Sequence, residues 1–64
     1  MIERQGDNLS ENVGRVTVVY VADRRVVRVV DSRSGVVIRE DETEPLNITG
    51  FKEVARKYRE MCRI

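Results

Sequence analysis

The chain has 64 residues, 12 lysines and arginines against 11 acids for a formal net charge of +1, one cysteine and no histidine. This length holds a single domain. One cysteine excludes an intrachain disulfide, the lack of histidine leaves no plausible zinc set, and the balanced charge argues against a protein built mainly to grip phosphates.

Residues Met1 to Asn12 (MIERQGDNLSEN) are polar and show no periodicity, so they are expected to form a flexible arm, with the folded domain spanning 13–64. From Arg15 the chain turns β-branched. Arg15 to Val21, Val26 to Asp31 and Val36 to Glu40 read as three strands, because packed valines restrict χ1 in a helix and suit a pleated surface. The connections 22–25 and 32–35 are short enough for hairpins, which predicts an antiparallel meander with the second strand central. Gly35 suits the positive φ that closes a four-residue turn, and Asp31 can accept from the turn amides.

A four-residue turn sets Asp31 opposite Val36 and puts Val27, Val29, Val36 and Ile38 on one face. A three-residue turn would instead set Arg28 opposite Glu40, a pair worth at most about 1 kcal/mol. Segregating apolar from charged side chains is worth roughly 1.5–3 kcal/mol per buried residue, so the four-residue turn is expected. The first turn then places Tyr20 opposite Val27 and Val18 opposite Val29.

Asp41 to Asn47 holds the only proline and reads as a connector. Beyond it Ile48, Phe51, Val54, Ala55, Tyr58, Met61 and Cys62 recur at three- and four-residue spacing, the stripe of an amphipathic helix from about Gly50 to Arg63. Asn47 or Thr49 can cap its start. The expected fold is therefore α+β: a three-stranded antiparallel meander packed on one C-terminal helix, preceded by a disordered arm.

One helix covers one face. The face with Val16, Val18, Tyr20, Val27, Val29, Val36 and Ile38 is the expected core. The other carries Arg15, Thr17, Val19, Val21, Val26, Arg28, Val30, Val37 and Arg39, whose five valines are more than a solvated face usually shows. Val19, Val21, Val26, Arg28, Val30, Val37 and Arg39 are the candidate partner-binding surface, for a protein partner or a homodimer formed face to face or edge to edge.

No catalytic, cofactor or metal residues are expected. There is no histidine, no glycine-rich phosphate loop and no metal-spaced cluster, so Cys62 reads as a small apolar residue. Glu40, Asp41, Glu42 and Glu44 read as a solvated acidic connector. A nucleic-acid reading rests on Lys52, Arg56, Lys57, Arg59 and Arg63 of the helix. Three strands followed by a basic helix are similar to double-stranded RNA-binding domains, but the helix before the sheet is missing. No apolar run approaches a membrane span and the first residues lack the apolar centre of a signal peptide, so a soluble cytoplasmic protein is expected.

The string Val27 to Arg39 (VRVVDSRSGVVIR) resembles the FlaG family of flagellar proteins, in which a valine-alternating strand leads through Asp and Gly into a strand reading Glu-Val-Ile-Arg. Asp31, Gly35, Val37, Ile38 and Arg39 match, and Ser34 stands where threonine is usual. Val36 replaces the family's glutamate, and Glu40-Asp41 stands where the family continues Ile-Pro. The resemblance implies a non-enzymatic accessory protein of bacterial flagella.

Overall fold

The valine runs do form strands, and they belong to a larger sheet than expected. The computed structural model describes residues 2–61. These form β1 (Ile2–Gln5), β2 (Asn8–Asn12), β3 (Val16–Val21), β4 (Val26–Asp31), β5 (Val37–Glu42) and α1 (Ile48–Met61). All five strands pair antiparallel in chain order, as one sheet with α1 over β2 and β3.

The three-stranded expectation is thus corrected, and so is the disordered arm, which is the first hairpin of the sheet. Gln5 pairs with Asn8 across the two-residue turn Gly6-Asp7, and Gly6 has φ 60°. Glycine with positive φ at the first central position is the type II′ arrangement, whose twist matches that of the flanking strands. Leu9 then faces Tyr20 across the next pair of strands and is 4% exposed. Asn8 Oδ1 accepts from the Ala22 N–H at 2.9 Å, and Asn12 Nδ2 donates to Ser32 Oγ at 3.0 Å. Both ends of β2 are therefore fastened beyond its own strand pairs.

The β3–β4 register is the expected one, with Tyr20 opposite Val27 and Val18 opposite Val29. Along β3, Val16, Val18 and Tyr20 are buried while Thr17, Val19 and Val21 are partly exposed. Arg25 closes this hairpin at φ 53°, a conformation costing an L-residue about 1–2 kcal/mol. Its carbonyl receives the Thr43 N–H at 2.8 Å and ties the connector to the hairpin.

At the β4–β5 hairpin the two registers weighed from sequence both occur. Asp31 and Val36 are joined by an Asp31 N–H to Val36 O bond of 2.9 Å, Asp31 Oδ1 accepts from the amides of Arg33 and Ser34, and Gly35 has φ 76°. Val30 stands opposite Val37, then a β-bulge shifts the ladder so that Val29 faces Arg39, Arg28 faces Glu40 and Val27 faces Asp41. An extra residue in one strand is what a bulge supplies. It lets the turn keep its glycine and carboxylate geometry while Arg28 Nε still reaches Glu40 Oε2.

Part of the expected core is overturned. Val36 and Ile38 are 61% and 56% exposed: Ile38 is the extra residue of the bulge, while Val36 keeps its place by Asp31 but α1 sits over β2 and β3. The buried set is Leu9, Val16, Val18, Tyr20, Val26, Val27, Val29, Phe51 and Ala55.

The helix starts two residues earlier than expected, because Asn47 is its cap. Asn47 Oδ1 accepts from the Gly50 N–H at 2.7 Å, and Asn47 O receives the Phe51 N–H at 2.9 Å, which satisfies donors that a helix start leaves open. Phe51 and Ala55 are its buried residues; Val54 and Tyr58 pack at the margin, while Ile48 and Met61 are exposed. Met1, Cys62 and Arg63 lie outside the described residues.

Candidate interaction surface

In antiparallel pairs opposed residues share a face, so the ladder assigns every strand residue to one side of the sheet. On the side away from α1, Val19 faces Arg28, Val21 faces Val26, and Val30 faces Thr17 and Val37. Six of the seven expected partner residues therefore do share one face. Arg39 does not join them. It faces Val29 on the helix side, and its guanidinium carbon lies 5.9 Å from the centre of the Tyr58 ring.

The six are unequally available. Val26 is 8% exposed, and Val19, Val21, Arg28 and Val30 are half-buried by their own sheet neighbours. Arg28 also spans the face to the Glu40 carboxylate. Only Val37, at 49%, is widely open. It adjoins Val36 and Ile38, so three consecutive apolar residues are exposed where the edge strand β5 begins. The sequence pattern alone places this run in the core, apart from Val37. The signal that could have exposed it was the Arg28–Glu40 complementarity, which one extra residue in β5 makes compatible with the turn.

The rest of β5 is charged. On the helix side Asp41 Oδ2 accepts from Arg39 Nε and from the Tyr58 hydroxyl, each at 2.6 Å. The Tyr58 bond and then the Arg39 bond hold the Asp41 carboxyl below its usual range. Burial first, and the bond to Asp41 second, push the Tyr58 phenol up to about 12. On the open side lie Glu40 and Glu42, opposite Arg28 and Val26.

These two shifts bracket the pH range in which helix and edge are joined. Asp41 is depressed, so its contribution is present above its unfolded value, near 3.8, and is lost as pH falls through the folded value. Tyr58 is raised, so its contribution is present below 10.0 and is lost as pH climbs towards about 12. Asp41→Asn should therefore move the Tyr58 titration downward, stopping short of 10.0 because burial remains. Ultraviolet absorbance of the phenolate measures this, and an unchanged titration would show that the strut does not form.

A concavity of about 650 Å³ lies at the start of α1 between Arg4, Asp7, Tyr20, Arg25 and Leu46. Its charges are of both signs, and Arg4 Nε already donates to Gly6 O at 3.1 Å. Lys52, Arg56, Lys57 and Arg59 are exposed on α1, with Glu53 and Glu60 interleaved. Among the described residues no group of three or more His, Cys, Asp and Glu could hold a metal ion, and no helix is long and apolar enough to cross a membrane.

No family model matches the chain, and neither a curated protein nor a solved structure does. The surface has to be read from its own chemistry.

Proposed function

We propose that the protein is a non-catalytic interaction module that engages a protein partner through the β5 edge and the adjoining end of the open sheet face. The observation that carries this reading is the exposed run Val36, Val37 and Ile38 at the start of an edge strand. Edge strands present unpaired backbone groups, and soluble proteins ordinarily blunt them with charge and avoid leaving apolar runs there. The opposite edge, β1, is four residues long and reads Ile-Glu-Arg-Gln, with no such run.

The same hairpin carries the resemblance to FlaG proteins, so a flagellar setting for the partner belongs to this proposal. Flagellin or filament-cap genes beside the coding sequence would favour it.

Selection of a displayed random-peptide library on the immobilised full chain tests the reading. Bound peptides should lose at least tenfold in affinity with Ile38→Lys and keep it with Arg56→Glu on the helix. Ile38 is exposed, so this variant should melt within about 0.5 kcal/mol of the parent. Peptides indifferent to Ile38 would overturn the edge as the binding surface, and binders sensitive only to Arg56 would move it to the helix.

A further inference from the structure

We infer that the occupant of the β5 edge is an extended basic segment of a different protein, not a second copy of this chain. The inference rests on the edge reading above and adds the chemistry of the partner. Its pattern would be two cationic residues at alternate positions, followed by β-branched apolar residues, pairing antiparallel with β5.

Charge along β5 selects this occupant. Beyond the bulge the strand reads Arg39-Glu40-Asp41-Glu42, one cation against three carboxylates. Arg39 and the Tyr58 hydroxyl both bond to Asp41 on the helix side. On the open side Glu40 meets Arg28 yet keeps 44% of its side chain exposed. Glu42 faces Val26, and neither it nor Glu44 has an ion-pair partner among the described residues. A strand added outside β5 would face Glu40 and Glu42 at alternate positions and Val37 beyond them. Opposed charges on one face stabilise a strand pair, and like charges destabilise it. Strand addition of this kind draws affinity from main-chain bonds and specificity from alternate side chains.

A second copy meets the opposite sign. Two identical edges continuing one antiparallel sheet are related by a two-fold axis normal to that sheet, so one residue faces itself across the axis. Any such register centred in the regular stretch sets Arg39, Glu40, Asp41 or Glu42 against its own copy, and the Arg39–Asp41 cross pairs of a Glu40-centred register add little, because the two groups already bond to each other within one chain. A register centred on Val37 or Ile38 runs across the bulge, where the ladder is interrupted.

Nuclear magnetic resonance titration of the full-length chain with three synthetic peptides tests this. The probes are Lys-Thr-Lys-Thr-Val-Val-Val, the same peptide with serine in place of both lysines, and the same with glutamate in place of both. The lysine peptide should shift the amides of Val37 to Glu42, slow their hydrogen exchange and bind at least tenfold tighter than the serine peptide. The glutamate peptide should leave β5 unshifted. Glu42→Lys should weaken the lysine peptide about tenfold. Equal binding of all three would overturn the charge assignment while leaving the edge as the site. No β5 shift with any peptide would overturn the inference, while the edge reading is decided separately by the Ile38-dependence of the selected library peptides. A dimer in sedimentation that Ile38→Lys dissociates would make a second copy the occupant and overturn it as well.

Discussion

Deleting residues 1–12 is expected to abolish the fold, leaving a chain without cooperative thermal unfolding. The deletion removes β1 and β2, and with β2 the whole outer neighbour of β3, from Leu9 opposite Tyr20 to Asn12 opposite Thr17. Leu9 is in the central cluster with Val18, Tyr20, Val27, Phe51 and Ala55, and Ile2 packs against it. Truncating a buried leucine costs about 2–5 kcal/mol. A domain of this size has roughly 3–10 kcal/mol in all. Loss of the ladder bonds and of the Asn8 and Asn12 side-chain bonds comes on top. Far-UV circular dichroism through a melt measures the outcome. A deleted chain that still melts cooperatively, near the parent's midpoint, would show that the hairpin is not part of the core.

The hairpin escaped sequence reading because a short outer hairpin needs very little apolar surface. Only Leu9 is fully buried in it; Ile2 is half-buried, and Arg4, which shares their face opposite Leu9, is exposed. Low hydrophobicity over twelve residues therefore resembles disorder. The overlooked signal was local. Gly6-Asp7 with a β-compatible residue on each side is a two-residue turn, a pattern set by backbone geometry and independent of hydrophobicity.

The elements that were legible are those where several physical preferences agree. Valine density, short even-length connections and alternation all place β3 against β4 in one register. Spacing, cap and apolar stripe all place a helix, and its two buried residues, Phe51 and Ala55, come from that stripe. The β4–β5 pair failed where preferences conflicted. Turn chemistry favoured Asp31 near Val36, and charge favoured Arg28 opposite Glu40. With turn length as the only variable the two are incompatible. The bulge satisfies both, and its consequence is the exposure of Ile38 and the transfer of Arg39 to the helix side; Val36, still beside Asp31, is exposed because α1 lies over β2 and β3. The candidate surface moved for the same reason, from the centre of the open face to its β5 end.

Phe51→Ala is the point substitution with the largest expected effect. Phe51 is 0% exposed and is the largest fully buried side chain. Removing a buried phenylalanine costs about 3–5 kcal/mol, and in a domain this small each kcal/mol shifts the midpoint by roughly 4–8 °C. A fall of more than about 12 °C is expected, where Met61→Ala, at a site 48% exposed, should move it little. The loss should also have a direction. Helix α1 has 14 residues and buries only Phe51 and Ala55, and isolated helices of that length are marginal in water. Besides the small Ala55 and the marginal Val54, its remaining hold on the sheet is the Tyr58 bond to Asp41 on β5, a half-exposed contact that water can replace. Phe51→Ala should therefore release the helix along with the core, and the Tyr58 phenol should titrate back towards 10.0. A variant that keeps the phenol near 12 while the midpoint falls would show that the strut anchors α1 without Phe51.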